Sequence, residues 1–177
     1  MAFGNSHKRQ LEDNSGRLLG YAFALTRDKD SASDLLQESL VRAISAPSLP
    51  CDERAFRAWM FTTMRNLWVA SLRSPRERPQ DFSPEESTVC APLSMERLLV
   101  NQIAVRQAFE LLSADHRDVL ALVDIGGFSY EEAARMLGVP RGTVMSRVSR
   151  ARRALAARLN ENTITAMPLA ARKTKNG

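Results

Sequence analysis

Six arginines crowd one short segment: Arg141, Arg147, Arg150, Arg152, Arg153 and Arg158 follow one another with no carboxylate before Glu161. A run of one sign on a folded element needs a polyanion opposite it, and duplex DNA is the usual one. A second cluster implies different chemistry. Arg54, Phe61, Arg65, Trp68 and Leu72 share one side of a helical stretch, and rings interleaved with guanidinium groups suit stacking on unpaired bases while pairing with phosphates. The competing reading buries Phe61 and Trp68 beneath neighbouring helices. A third cluster, Asp34, Gln37, Glu38 and Val41, forms a small acidic-amide helix side. Catalytic constellations are missing. His7 falls in a polar N-terminal tail and His116 near a helix start, both expected to face solvent or to bond locally, and neither belongs to a nucleophile motif. Cys51 and Cys90 lack metal-ligand spacing, so no metal, no cofactor and no enzymatic activity are expected, although a redox-responsive pair stays open.

The arginine run needs a helix to display it, and the punctuation provides one. Gly126-Gly127 ends a helix containing Val119, Leu120, Leu122 and Val123; Ser129 opens the next, with Glu132 three residues on as its capping-box partner. Ala133, Ala134 and Leu137 give that short helix an apolar face, and Gly138-Val139-Pro140 turns the chain. Beyond it Val144, Val148, Ala151, Leu155 and Leu159 form one inward stripe. At about 100° per residue, Gly142, Ser146, Ser149, Arg150 and Arg153 fall furthest from that stripe, with Thr143 beside them. This is a helix-turn-helix, with small hydroxyls and arginines at the front of a recognition helix suited to base edges and phosphates of a major groove.

The aromatic-basic cluster belongs to an N-terminal module over residues 11–74, also all-helical. Its first helix is expected over about Asn14 to Thr26, with Leu18, Leu19, Ala22 and Leu25 inward; a second runs to about Ala46, burying Ala32, Leu36, Leu40, Ala43 and Ile44. A Pro-containing loop, Pro47 to Asp52, leads into the third, about Glu53 to Arg73, whose core stripe is Phe56, Trp59, Met60, Thr63 and Leu67. Four prolines (Pro75, Pro79, Pro84 and Pro92) and a cluster of carboxylates make 75–95 an extended acidic linker. The helix-turn-helix module then occupies 96–160, and 161–177 reads as a disordered tail. The 177 residues carry a net charge of +5 and a pI near 9.8, in keeping with a nucleic-acid partner. With no apolar run of about 18 residues and no signal-peptide pattern at the N-terminus, a cytoplasmic location is expected.

In order along the chain stand DLLQESLVRA, FRAWMFTTMRN and FSYEEAARMLGVPRGTVMSRVSRARRAL. With two helical modules and a Pro-rich linker, this ordered set resembles an extracytoplasmic-function (ECF) RNA polymerase sigma factor over residues 14 to 158, and is similar to the branch of alphaproteobacterial stress responses. The resemblance implies an all-α fold of two small helical domains, a sigma region 2-like bundle and a sigma region 4-like helix-turn-helix. It implies core RNA polymerase as partner, through its β′ clamp helices and β flap, together with promoter DNA and an anti-sigma factor. It assigns Asp34, Gln37 and Glu38 to polymerase binding. The loop Ala46 to Asp52 and the following helix go to the −10 element, with Phe61, Arg65, Asn66 and Trp68 as melting residues. Arg141, Thr143, Ser146, Arg147 and Arg150 go to the −35 element, with Arg153 on its backbone. Met145 stands where the family pattern GTVKSR has lysine, which removes a phosphate contact. Two other functions remain open at this point: a stand-alone helix-turn-helix regulator, and a sigma-like decoy that sequesters an anti-sigma factor.

Overall fold

The computed structural model of the protein describes residues 3–73 and 104–165. The expected linker, Cys90 and the end of the expected tail lie outside the described residues. Within them the architecture is all-helical, in two groups. The first comprises α1 (Asn5–Thr26), α2 (Lys29–Ser45) and α3 (Glu53–Arg73). The second comprises α4 (described over residues 104–110), α5 (Ala114–Leu120) with its π-helical continuation Ala121–Ile125, α6 (Tyr130–Leu137) and α7 (Arg141–Thr165). Helix α7 therefore extends into the stretch expected to be tail.

Helix α1 starts well before the expected Asn14, and a two-residue corner joins it to α2. Arg27 adopts the left-handed region at φ 62°, and its N–H bonds Phe23 O at 2.8 Å, closing the helix as such residues do. Asp28 then caps α2 by accepting from Ser31 N at 2.7 Å. Chiefly that backbone bond holds its carboxyl below the usual carboxylate range.

The shared core joins Leu18, Tyr21, Ala22 and Leu25 of α1 to Ala32, Leu35 and Ala43 of α2 and to Phe56, Met60, Met64 and Leu67 of α3. Three sequence expectations change here. Leu19 is exposed on α1, and Ile44 points outward on α2, where Leu35 and Ser39 are buried instead. On α3, Phe61 and Met64 are fully buried, whereas Trp59 and Thr63 are half-buried. The reason is that α3 is covered twice. Its neighbours α1 and α2 take one side, and side chains of the second group reach the other, so an apolar ring on what had seemed the outer face is enclosed as well.

In the second group Ser113 caps α5 by accepting from His116 N at 3.4 Å. The helix then widens, with Gly126 N bonding Ala121 O at 2.8 Å across five residues, a local bulge of the kind that redirects side chains. A Cβ on Gly126 would lie 2.7 Å from Leu122 O and 2.8 Å from the Phe128 ring, so only glycine fits this turn. The capping box of α6 forms as expected. Ser129 Oγ accepts from Glu132 N at 3.3 Å, while the Glu132 carboxylate accepts from Ser129 N at 2.8 Å. Gly138 ends α6 at φ 66°, a conformation that favours glycine. Val144, Val148 and Ala151 of α7 are buried against Val119, Leu120 and Ala133.

Candidate nucleic-acid interface

On α7 the inward stripe fixes which side chains face out. Arg141, Gly142, Ser149, Arg150 and Arg153 are exposed, and Thr143, Ser146 and Arg147 are half-buried beside them. Ser146 Oγ donates to Thr143 O at 3.0 Å, which pins the hydroxyl to the helix's own first turn. Arg147 lies 3.3 Å from Asp115 of α5, and Arg152 pairs with Asp124 at 2.6 Å. Arg141 and Arg150 meet no carboxylate among the described residues, and Arg153 only donates to Ser149 O at 3.4 Å. The expected −35 set therefore lies along one accessible side, with Arg147 ion-paired and Arg141 and Arg150 without a carboxylate among the described residues. Met145, 46% exposed, sits within it as an apolar side chain.

The α3 set is distributed differently. Asn66 is exposed and Trp68 is half-buried against the core. Arg65 donates from Nε to Asp118 Oδ2 of α5 at 2.9 Å, and Tyr21 OH of α1 donates to Asp118 Oδ1 at the same distance. Burial, followed by the Asp118 charge, pushes the Tyr21 hydroxyl well above its ordinary range, so it stays a donor. Phe61 is enclosed, its ring 4.7 Å from Tyr21 and 5.0 Å from Phe128, edge-on to the latter. Of the four expected melting residues, the structure thus exposes Asn66, half-exposes Trp68, engages Arg65 in an ion pair and buries Phe61.

These contacts belong to a clasp between the two groups. Arg54 at the start of α3 makes a bidentate pair with Glu132, Nε to Oε1 at 2.6 Å and Nη2 to Oε2 at 2.7 Å. Chiefly that hydrogen bond lowers the Glu132 carboxyl to about 2. Arg57 stacks over Phe128 at 5.5 Å from its centroid. Arg117, buried, reaches from α5 to donate to Ala24 O in the last turn of α1 at 3.0 Å, and to Leu112 O at 2.6 Å. A guanidinium there satisfies carbonyls that a helix end leaves free. Sequence reasoning did not single out Tyr21, Asp118, Arg117 or this role for Glu132. The one available signal was the adjacent Arg117-Asp118 pair directly before the apolar run Val119 to Val123.

On α2, Asp34, Gln37 and Glu38 are all exposed, and Glu38 pairs loosely with Arg42 at 3.6 Å. Val41 and Ile44, 61% and 58% exposed, extend this side as an apolar margin. The acidic-amide face is therefore also an apolar one, with hydrophobic surface in reach of a partner helix.

Comparison with known proteins accords with this geometry. The family description "Sigma-70 region 2" matches residues 11–78 and "Sigma-70, region 4" matches residues 102–155. The chain is 34% identical over 142 residues to the ECF RNA polymerase sigma factor EcfG of Rhodopseudomonas palustris, covering 80% of this chain and 78% of that one. It is 36% identical over 161 residues to the ECF sigma factor SigL of Mycobacterium tuberculosis, covering 87% and 89%. Among solved structures it is similar to the sigma factor RpoE in complex with the anti-sigma factor NepR from Bartonella quintana, with a TM-score of 0.63 and 27% identity over 89% of this chain and 98% of that one. It is likewise similar to CnrH in complex with the cytosolic domain of CnrY, with a TM-score of 0.62 and 25% identity over 90% and 92% of the two chains.

Proposed function

Because the chain belongs to the extracytoplasmic-function RNA polymerase sigma factors, we propose that it docks on core polymerase and directs initiation at selected promoters by reading a −35 element and melting a −10 element. It supplies binding and base recognition without catalysing nucleotide addition itself, and acts in the cytoplasm where polymerase and genome are. The reading rests on one observation above others: a helix-turn-helix whose outward side carries Arg141, Arg150 and Arg153 free of carboxylate partners among the described residues. It stands in the same chain as a helix that interleaves Arg65, Asn66 and Trp68.

In this reading Arg141, Thr143, Ser146, Arg147 and Arg150 contact the −35 duplex, with Arg153 on its backbone. Asp34, Gln37 and Glu38, with the apolar margin of Val41 and Ile44, take the clamp helices of β′, and the helix-turn-helix meets the β flap. Loop 46–52 and α3 take the −10 strand. Unstacking a base costs a few kcal/mol and stacking on an aromatic ring returns about 1–3 kcal/mol, so strand separation succeeds only where sequence and surface agree. The clasp adds a condition. Asp118 and Phe128 of the second module occupy Arg65 and one side of Phe61, so the helix-turn-helix must leave α3 before the −10 strand can lie there.

An anti-sigma factor is the expected regulator, supported by the two solved relatives that are complexes with one. Likeness to EcfG and to the NepR-bound protein favours the alphaproteobacterial stress-response branch. The decisive experiment is transcription in vitro with purified core polymerase and a promoter library. Enrichment of paired −35 and −10 motifs is expected; a protein that binds DNA yet neither joins the core enzyme nor changes its promoter choice would overturn the reading.

A further inference from the structure

The loop between α2 and α3 has little to hold its own shape. Pro47 and Pro50 remove two backbone donors, and its own ties lie at its ends: Ala46 N to Ala43 O at 3.4 Å, Phe56 N to Asp52 O at 2.8 Å, and Ala55 N to Asp52 Oδ2 at 2.8 Å. What fixes its middle comes from the first turns of α1. His7 Nε2 lies 3.0 Å from Pro50 O, and Gln10 Nε2 donates to Cys51 O at 3.3 Å. Residues three apart on a helix share a face, so two successive loop carbonyls are held by neighbouring side chains. The His7 ring is itself held. Its Nδ1 accepts from Gly4 N at 3.3 Å, which leaves the proton on Nε2 to be donated to Pro50 O. The ring lies between Phe3, on which it stacks at 5.9 Å between centroids, and Phe56, against which it is tilted at 4.9 Å, and only 7% of the residue is exposed. Far from lying in a solvated tail, His7 bridges the loop to the first turn of α3. Meanwhile Leu49 anchors in the core, and Pro47, Ser48 and Cys51 stay exposed on the loop's outer side.

We propose that His7 and Gln10 are positioning residues for base selection: they touch no DNA, but hold Pro50 and Cys51 so that the exposed side of loop 47–52 presents one fixed surface to an unpaired base of the −10 element. This rests on the assignment of loop 46–52 to the −10 strand. A recognition surface must be held to about 0.5 Å to discriminate, and a proline-interrupted loop reaches that only with external ties.

The test uses full-length protein with core polymerase on duplex promoters randomised separately in the −10 and −35 elements. His7→Ala and Gln10→Ala each lower discrimination within the −10 element about fivefold, as loss of a single hydrogen bond would. Discrimination within the −35 element and binding to core polymerase stay at the wild-type level. His7→Gln, which keeps an N–H within reach of Pro50 O, recovers part of the −10 discrimination. A purely structural role would reduce total transcript and leave these ratios alone. Wild-type −10 ratios in both alanine variants, or an equal loss at −10 and −35, would overturn the proposal. If His7→Ala does not fold, Gln10→Ala decides alone. Absence of −10 preference in the wild-type protein would instead sink the loop assignment, and the proposal with it.

Discussion

Two helices of this protein carry arginines suited to nucleic acid, and they are presented in opposite ways. On α7 the apolar stripe is satisfied within its own module, and Arg141 and Arg150 face outward with no carboxylate partner among the described residues. On α3 the side opposite the core meets the other module, where Asp118 binds Arg65 and Phe128 closes over Phe61, whose ring already lies on Tyr21 of its own module. The first surface is accessible as it stands, which is what the proposed contact with duplex DNA requires. The second, in the function proposed above, takes a single strand only when the modules separate. The difference follows from composition. A face of arginine and small hydroxyls loses little by remaining in water, whereas one carrying Phe61 and Trp68 gains by burial until bases replace the protein cover.

The largest effect should come from the open surface. Arg147→Ala combined with Arg150→Ala is expected to reduce promoter-directed transcription about a hundredfold, since each base-reading arginine is worth about 1–3 kcal/mol. Retention of the double variant by core polymerase should be unchanged. Survival of transcription would place −35 reading elsewhere and remove one side of the contrast. Next, Asp118→Ala withdraws the shared acceptor of Arg65 and Tyr21. A half-buried ion pair that loses one partner leaves a poorly solvated charge, which favours opening of the clasp. Small-angle scattering should show an expanded particle, and affinity for a single-stranded −10 oligonucleotide should rise about tenfold. Arg65→Ala should open the clasp without that gain in affinity. Equal binding by the two variants would mean that Arg65 does not serve the strand.

A smaller effect is expected at Trp68. Trp68→Ala should slow open-complex formation on duplex promoters about fivefold, the cost of one lost stacking contact of about 1 kcal/mol, and much less on a pre-melted template. Equal losses would argue for packing alone. The smallest concerns Glu132, whose carboxyl Arg54 lowers from 4.5 to about 2. A depressed carboxylate contributes stability above its unfolded value, lost as pH falls through the folded one. This tie should therefore be constant between pH 8 and 6 and fade only as pH falls from about 4.5 toward 2. Fluorescence energy transfer between labels on the two modules would detect loosening at neutral pH, which would exclude the Glu132 tie as its cause.

Much of the helix-turn-helix was legible because its signals are local. The Ser129–Glu132 box, the left-handed Gly138 and the Val144–Val148–Ala151 stripe each depend on residues a turn or two apart, and each forms as spacing implies. The all-helical class and the exposed Asp34, Gln37 and Glu38 side followed from the same periodicity. Phe61 resisted the same treatment. A helical wheel gives the angle at which a ring leaves its helix, not what lies there, and a second apolar face is equally consistent with a ligand platform and with a second layer of protein.

His7 shows the same limit from the other direction. Amid polar neighbours it reads as solvated, but its burial depends on Pro50 and Phe56, more than forty positions away. Sequence by itself determined the caps and turns of the helix-turn-helix, which charges gather on α7 and which family motifs occur in order, because those are short-range facts of backbone and period. Only the tertiary structure decided that one arginine surface is open and the other is closed by Asp118, and that an N-terminal histidine shapes a distant loop. Those outcomes depend on long-range contacts whose free energy no local pattern encodes.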